Sequence, residues 1–471
     1  MDPLNAVRAE RRRALSTLAG GPVLLGNNGT QPRNLPINRL PFRSDSTYLY
    51  FTGCAEPSTF ALIVDGACTL FLAPPEPGDE LWHGEVASIQ ARAERLGVEH
   101  VRPLSELPDA LTEHPGRLMP LAVPDAGVTA RLARLTGRRL AYPASPGPRP
   151  LVDAIIQLRR TRDAFELDEM RAATRLAAEG HRLLMRSTRV GGSERALAAL
   201  FEAFIGARGA VPSYHPIVTV RGEVLHNPDY PNPLTNGDLL LVDAGAESTG
   251  GYASDITRTW PVNGRFEGRQ RALYTLVLAA NEACIRMCRA GQRYRDIHFT
   301  ATRMLAAGLV DLGLLRGAVD DLVESGASGV FFPHGVGHLI GLDVHDLENF
   351  GDRPAYAPGR SRPEQFGARY LRMDLDLEAN MVVTIEPGLY FVPAIVHDRA
   401  LRTRFADQVN YAEAERWLGL GGIRIEDDVR VRPASEAGGE PETLSADAPK
   451  TLDALEALIG SGPSAEERLS A

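Results

Sequence analysis

The chain has 471 residues, 24% of them charged, with a formal net charge of -9 and a sequence pI near 5.7. This length is enough for two or three domains that each bury a core of their own. The negative charge argues against a general binder of nucleic acid or anionic membrane, because neither polyanion is attracted to such a surface. The N-terminal residues form no apolar run of the signal-peptide type, and no stretch has the length of a membrane span, so we expect a soluble cytoplasmic enzyme.

A proline-rich stretch at residues 142–150 separates the front third of the chain from the rest. Such a composition resists helix and strand interiors, so it indicates a linker. Ahead of it, short apolar runs at 59–64 and 69–73 alternate with helical patterns such as 85–96. The sequence therefore predicts a small α/β domain over residues 1–150.

Helical patterns follow the linker. Asp163 with Glu166 three residues later forms a capping box for a helix that runs to about residue 187. A second helix begins after the cap Ser193 and ends at Gly209. Further helical patterns cover residues 269–290, 294–312 and 450–459.

Strand and hairpin patterns lie between these helices. An antiparallel sheet covered by helices on one face is the architecture that we expect for residues 151–460, because its acidic face must stay open to ligands. Residues 461–471 are predicted to be a disordered tail. The fold class is therefore α+β.

Four carboxylates and one imidazole stand out in strand-like segments and tight turns of the second half: Asp243, Asp255, His338, Glu386 and Glu426. Two carboxylates about 4 Å apart repel by roughly 4 kcal/mol at an effective dielectric constant near 20. A converging set must therefore bind protons or cations, and two divalent cations would balance four carboxylates. Such an oxygen-rich set favours manganese, although cobalt and zinc also accept carboxylate and imidazole ligands.

Three histidines, His334, His338 and His345, fall within twelve residues. A helical zinc site of the His-Glu-x-x-His type would need glutamate where Gly335 stands, so it is not favoured. The three histidines therefore divide between metal binding and other tasks.

Four motifs carry a specific resemblance to a known family. Asp243 and Asp255 lie twelve residues apart, and three runs follow in order: Pro-His-Gly-Val-Gly-His-x-x-Gly-Leu-Asp-Val-His at 333–345, Thr-Ile-Glu-Pro-Gly-Leu-Tyr at 384–390 and Gly-Gly-Ile-Arg-Ile-Glu-Asp-Asp at 421–428. In this order and spacing the chain resembles the pita-bread metallopeptidases that cut before proline, prolidase and aminopeptidase P. The resemblance is strong over about 155–460 and weaker in the front domain. It implies a creatinase-like α/β N-terminal domain followed by a pita-bread catalytic domain, in which helices cover a curved antiparallel sheet.

The resemblance also implies a ligand set. Asp243 would chelate the first metal ion, His338 and Glu386 would bind the second, and Asp255 and Glu426 would bridge both. Paired ions would lower the pKa of bound water, which would attack the carbonyl that precedes proline.

Further roles follow from the same resemblance. Glu386 would relay a proton to the proline nitrogen. His345 and His226 would hydrogen-bond the substrate carbonyl and its developing oxyanion. His334 would line the proline pocket, and Arg424 would orient Glu426 or the substrate.

The expected partners are proline-containing dipeptides or short peptides. Tyr214 is expected to contribute to substrate binding. The family resemblance suggests a homodimer or a dimer of dimers, in which Trp82 or Asp45 of one subunit would reach the neighbouring pocket.

Two features favour prolidase, which cuts Xaa-Pro dipeptides. Arg372 lies fourteen residues before Glu386, where prolidases carry an arginine for the free carboxylate after proline, and forty residues separate Glu386 from Glu426. The front domain resembles aminopeptidase P, which acts on longer peptides, but Thr47 stands where that family tends to place an aspartate. A creatinase-like enzyme without metals and a non-catalytic interaction protein of the same fold are further alternatives, although neither would need all five ligands.

Overall fold

The computed structural model describes residues 3–470 and divides into two compact units. The N-terminal unit extends to Arg160 and includes Leu347–Pro354, whereas the C-terminal unit contains Thr161–Asp346 and the chain from Ala355 onward. The domain limits at residues 150 and 460 stay predictions.

The N-terminal unit is an α/β structure, as predicted. Its helices are α1 (Pro3–Ala19), α2 (Ser46–Thr52), α3 (Asp79–His83), α4 (Ile89–Arg95), α5 (Leu107–Leu111), α6 (Ala126–Thr136) and α7 (Arg149–Arg159). Its strands are β1 (Val23–Gly26), β2 (Phe60–Val64), β3 (Ala67–Leu72), β4 (His100–Pro103) and β5 (Met119–Pro120). They form one mixed sheet in the order β4-β3-β2-β1-β5, with parallel pairing at both edges.

The C-terminal unit contains the longer helices. They are α8 (Ala164–Ser187), α9 (Glu194–Gly206), α10 (Gly268–Met287), α11 (Tyr294–Asp311), α12 (Val319–Ser325), α13 (Pro393–Val396), α14 (Arg399–Arg404), α15 (Tyr411–Glu415), α16 (Leu452–Leu458) and α17 (Ala465–Ser470). None of the helices within residues 3–470 has the length and apolarity that crossing a membrane requires.

The strands of the C-terminal unit pair in antiparallel fashion. They are β6 (Val211–Pro212), β7 (Ile217–Thr219), β8 (Leu239–Asp243), β9 (Ala246–Glu247), β10 (Thr257–Pro261), β11 (Val382–Ile385), β12 (Gly388–Tyr390), β13 (Gly422–Arg424), β14 (Asp427–Arg430) and β15 (Glu442–Thr443). The sheets have the orders β10-β8-β7, β11-β14-β15, β12-β13 and β6-β9. Helix α10 packs against α11 and also contacts β11, β12 and β13, so helices cover these strands as expected.

The predicted helix starts are confirmed in detail at two places. Asp163 and Glu166 form a capping box at α8, with each side chain accepting a hydrogen bond from the other residue's backbone. Ser193 caps α9 by accepting from the backbone N–H of Ala196. Such caps satisfy backbone donors that the first helical turn leaves unpaired.

The C-terminal tail differs from the prediction of disorder. Helix α17 forms there, with Ala465 buried. Its Arg468 donates to Ser187 Oγ at 3.0 Å, and its Glu466 accepts from the backbone N–H of Ser193 at 3.1 Å. A six-residue helix gains little stability from its own sequence, so these contacts with α8 and the start of α9 explain a helix that local composition does not predict.

Candidate metal and substrate site

The predicted ligand residues line one cavity of about 590 Å³ within the C-terminal unit. Asp243 ends β8, Glu386 follows β11 directly, and Glu426 lies between β13 and β14. Antiparallel pairing places Asp243 opposite Thr257, the first residue of β10, and Asp255 precedes that strand by two positions. Sheet register therefore gathers carboxylates that are up to 183 positions apart in the sequence.

The tightest group consists of Asp255, His338 and Glu426, whose ligand atoms all lie within 4.8 Å of one another. His338 Nε2 is 3.5 Å from Asp255 Oδ2 and 3.8 Å from Glu386 Oε1. His338 Nδ1 lies 3.0 Å from the carbonyl oxygen of Leu339, which can only accept, so this nitrogen donates. The lone pair of a neutral ring is then on Nε2, toward the carboxylates, as metal ligation requires.

Burial and neighbouring charges shift the pKa values of the carboxyl groups in the cavity. Burial, followed by the charge of Asp255, raises the pKa of Glu426 well above its ordinary value. Burial also raises the pKa of Glu386 to about 7 and raises that of Asp243. Burial acts in the same direction on Asp255, but hydrogen bonding and charge from His338 outweigh it and lower the pKa. The donor set therefore fits divalent cations, because their positive charge would neutralise carboxylates that otherwise bind protons.

Tyr214 and Arg424 form hydrogen bonds with carboxylate oxygens of Asp243 and Asp255. The Tyr214 hydroxyl contacts Asp255 Oδ1 at 2.6 Å and also contacts Asp243 Oδ1. One hydroxyl proton cannot serve both oxygens at once. Burial raises the pKa of Asp243, although the Arg424 charge and the Tyr214 hydrogen bond act to lower it. Arg424 Nη2 donates to the other oxygen, Asp243 Oδ2, at 2.5 Å.

A hydrogen-bond chain that the sequence did not predict continues from Arg424. Its Nε donates to Thr257 Oγ1 at 3.0 Å, and this hydroxyl donates to Glu426 Oε2 at 2.7 Å. Its Nη1 donates to the hydroxyl of Tyr390 at 3.1 Å. Thr257 stands two residues after Asp255, on the same strand face, and Tyr390 belongs to the Glu-Pro-Gly-Leu-Tyr run, so both had a positional signal.

This series of hydrogen bonds ends at His334. Its Nδ1 donates to the carbonyl oxygen of Gly335 at 2.7 Å, so Nε2 accepts from the Tyr390 hydroxyl at 2.8 Å. Burial and the Arg424 charge lower the pKa of His334 to about 3. His334 is therefore a neutral ring with both nitrogen atoms engaged in the cavity wall.

His226, His345 and Arg372, for which the sequence analysis expects roles toward substrate, also line the cavity, and those roles stay predictions. Burial lowers the pKa of His345 to about 3, and burial followed by the Arg424 charge lowers that of His226. Both rings are neutral at physiological pH, so each presents one N–H donor and one lone pair. The His345 ring lies 4.4 Å from that of His338, centroid to centroid.

The remaining wall contains side chains without a predicted role: Glu223, Leu225, Pro333, Arg362, Phe366, Arg369, Tyr370, Val392 and Ile395. Apolar members of this set suit a proline ring, whereas the arginines give the cavity a cationic side. Their segments show no regular period, which explains why sequence patterns did not reveal them.

Asp45 and Trp82 belong to the N-terminal unit. Asp45 is buried and caps α2, because its carboxylate accepts from the backbone N–H of Tyr48 at 2.8 Å. Trp82 lies on α3 with 79% of its surface exposed. Their roles in substrate binding stay predictions.

Asp427 shows how neighbouring acids acquire opposite properties. It follows Glu426 directly, yet its carboxylate is paired with Arg258 and Lys450, each at 2.7 Å, and accepts from Ser445 at 2.6 Å. Burial raises its pKa, but these two cations outweigh burial and lower it. Asp427 is therefore a compensated structural charge, whereas Glu426 faces the cavity.

Two protein-family models match the chain, one mainly in the C-terminal unit and one in the N-terminal unit. The model described as metallopeptidase family M24 matches residues 168–433. The chain belongs to this family. A second model, described as the N-terminal domain of aminopeptidase P, matches residues 8–117.

Relatives and solved structures match nearly all of the chain. It is 32% identical to the probable Xaa-Pro aminopeptidase pepP of Emericella nidulans, over 96% of this chain and 95% of the relative. It is also 32% identical to the human Xaa-Pro dipeptidase, over 97% and 94%. Among solved structures, Pseudomonas aeruginosa aminopeptidase PepP matches with a TM-score of 0.79 and 30% identity, over 98% and 99%. Zinc-substituted Escherichia coli aminopeptidase P in complex with product matches with a TM-score of 0.77 and 28% identity, over 96% and 98%.

These matches confirm the predicted resemblance, enzyme class and fold. The protein is an M24 metallopeptidase with an aminopeptidase P type N-terminal domain and a pita-bread catalytic domain. Its relatives include both Xaa-Pro aminopeptidases and an Xaa-Pro dipeptidase, so similarity does not choose between the two.

Proposed function

We propose that the protein is a dinuclear-metal exopeptidase that hydrolyses the bond between an N-terminal residue and proline, with a preference for Xaa-Pro dipeptides. The observation that carries the proposal is the convergence of four carboxylates and one imidazole in a single cavity of an M24 metallopeptidase. Xaa-Pro aminopeptidase activity on longer peptides is the second candidate, which the many relatives of that name support.

The proposed ligands are Asp243 for one ion, His338 and Glu386 for the other, and Asp255 and Glu426 for both. Divalent ions bound there would polarise the scissile carbonyl and activate water at neutral pH. The oxygen-rich donor set favours manganese, with cobalt or zinc as alternatives.

Glu386 is the proposed proton carrier. The Glu386 carboxyl lines the cavity beside the other proposed ligands, which supports its placement near the scissile bond. Proline leaves as a secondary amine, so its nitrogen must receive a proton during cleavage. A carboxyl group in the cavity that can hold and release this proton meets that need.

His345 and His226 are the proposed donors to the substrate carbonyl. Each is neutral, so a ring N–H can stabilise negative charge on that oxygen without the repulsion that a cationic ring would exert on bound metal. His334 is held by Tyr390 and Gly335 and is proposed to shape the proline pocket rather than to transfer protons.

Arg372 supports the preference for dipeptides. It lies in the cavity wall, where a guanidinium can bind the carboxylate that directly follows proline in a dipeptide. A longer peptide carries an amide at that position and would lose this ion pair. The cavity of about 590 Å³ is of a size that suits a small ligand.

Assembly and location complete the proposal. A homodimer or dimer of dimers, in which the exposed Trp82 of one subunit contacts the neighbouring pocket, is supported by the exposure of that large aromatic side chain. All four cysteines are free and buried, which suits the reducing cytoplasm. Light scattering of wild-type protein and Trp82→Ala tests the assembly.

The decisive experiment combines metal analysis with substrate comparison. Purified protein loaded with manganese should bind two ions per chain and hydrolyse Gly-Pro and Ala-Pro faster than Ala-Pro-Ala. Faster cleavage of the tripeptide would instead support the aminopeptidase activity. Absence of bound metal, or full activity after exhaustive chelation, would refute the metal-dependent mechanism.

A further inference from the structure

Glu223 is an acidic residue of the cavity that lies outside the proposed ligand set. It is in the segment between β7 and β8 and lines the same cavity, with 5% of its side chain exposed. Carboxylates are rarely buried to this extent without paired charges and hydrogen bonds.

Within residues 3–470, one oxygen of Glu223 accepts a hydrogen bond and the other does not. Arg221 Nε donates to Glu223 Oε1 at 2.5 Å, and the Arg221 side chain is 57% exposed. Glu223 Oε2 is buried and has no hydrogen-bond partner among residues 3–470. Because a buried oxygen without a donor is costly, a donor that arrives through the cavity would bind favourably there.

Glu223 lies beside the start of β13. Its Oε2 is 3.6 Å from the position that a Cβ atom would take at Gly421. The next residue, Gly422, pairs with Tyr390 in the β12–β13 ladder. Glu426 follows Gly422 by four residues, which corresponds to roughly 13 Å of extended backbone.

This separation selects the kind of cation. The substrate α-ammonium lies only two bonds from the scissile carbonyl carbon, so it must stay beside the ligand carboxylates. A lysine or arginine side chain carries its charge several ångströms further. Val392 lies next to this region, because the N–H of Phe391 donates to the Gly421 carbonyl oxygen at 3.2 Å, and it offers an apolar wall for the aliphatic part of such a side chain.

We propose that Glu223 forms a subsite for the cationic side chain of a basic residue in the peptide substrate. This inference rests on the proposed Xaa-Pro hydrolysis. The cation belongs either to Xaa, as in Lys-Pro, or to the residue after proline, as in Ala-Pro-Lys. In both cases the cation would form the same ion pair with the buried Glu223 carboxylate. A neutral side chain of similar length would not gain the affinity of this ion pair.

The test compares substrates whose side chains differ in charge and are similar in length. Wild-type protein and Glu223→Gln are assayed with manganese on Lys-Pro against Met-Pro, and on Ala-Pro-Lys against Ala-Pro-Met. We expect Glu223→Gln to reduce the preference for the lysine substrate of one pair by about tenfold in kcat/KM, mainly through KM, because it removes a charged contact to substrate. The pair that responds identifies the source of the cation.

Two further variants separate binding from folding. Glu223→Asp keeps the charge and should retain part of the preference, whereas Glu440→Gln removes an exposed carboxylate paired with Arg289 and should leave both ratios unchanged. Unchanged ratios in Glu223→Gln, or an equal loss on all four substrates, would overturn the inference. Failure of the wild-type protein to cleave any of the four peptides would instead refute the proposed function.

Discussion

Arg424 joins several parts of the site. Its guanidinium contacts Asp243, Thr257 and Tyr390, so it holds a ligand carboxylate, the hydroxyl that donates to Glu426 and the hydroxyl that donates to His334. Planar guanidinium geometry makes this possible, whereas an ammonium group carries the same charge without the fixed fork.

We therefore expect Arg424→Lys to lower kcat/KM by roughly a hundredfold, because charge alone does not position three acceptors. Steady-state kinetics on Ala-Pro with manganese measures the effect. Arg208→Lys is the matched control, since Arg208 is exposed, is not among the residues lining the cavity and stacks on Phe204 at 3.7 Å. Near-normal activity of Arg424→Lys would show that its contacts are not needed for the reaction.

Arg372 governs selectivity in the proposed reaction. Arg372→Ala should lower kcat/KM for Ala-Pro by roughly ten- to a hundredfold, because a charge-assisted contact to the terminal carboxylate is lost. Cleavage of Ala-Pro-Ala should change much less. If the ratio of the two rates stays constant, the preference for dipeptides has another origin.

At the level of elements, close packing of two glycines positions the β12–β13 pair. A Cβ atom added to Gly422 would lie 2.5 Å from the carbonyl oxygen of Gly222 and 2.5 Å from Tyr390 Cδ1. Neither neighbour can move freely, because one is backbone and the other belongs to the buried hydrogen-bond chain through Tyr390.

We expect Gly422→Ala to lower the free energy of unfolding by about 1–3 kcal/mol through overpacking and to reduce kcat as Tyr390 is displaced. Urea unfolding together with kinetics tests both effects. Gly206→Ala at the end of α9 is the control, because its added Cβ has open space. Wild-type stability and kcat in Gly422→Ala would show that this contact relaxes without consequence.

At the level of the whole molecule, the cavity couples metal binding to stability and pH. In the metal-free protein, burial raises the pKa of Glu386 from 4.5 to about 7, so between these values the folded state binds more protons than the unfolded state. The free energy of unfolding therefore falls as pH rises through this window, by on the order of 3 kcal/mol for Glu386. Asp255, whose pKa is lowered from 3.8, contributes stability that is lost only at more acidic pH.

Bound divalent ions compensate the same carboxylates and compete with protons for them. Addition of manganese should therefore raise the Tm more at pH 8 than at pH 5, and chelation should remove the difference. Differential scanning calorimetry with and without manganese at both pH values measures it. An equal rise at both pH values would show that these carboxylates do not bind the ion.

Sequence patterns predicted the helices of the catalytic unit and the five ligand-type residues because both are encoded locally. Capping boxes, helical periods and acids at strand ends need only neighbouring positions to be recognised. Tyr390, Thr257 and Glu223 were missed, since hydroxyl and acidic side chains gain their roles from partners on other strands. The tail helix α17 was missed for the same reason, as its stability comes from contacts with α8 and the start of α9.

The adjacent acids Glu426 and Asp427 make the active centre sensitive to strand registration. A shift of β14 by one position against β11 would turn Asp427 toward the cavity and bring Glu426 to the buried cations Arg258 and Lys450. In that arrangement Glu426 would differ from Asp427 in length and hydrogen bonding beside the two cations, and Asp427 would differ from Glu426 in the same ways in the cavity. The ion pairs of Asp427 with Arg258 and Lys450 thus favour a single strand register. Electrostatic pairing on one face of the strand therefore secures the catalytic geometry on the other face.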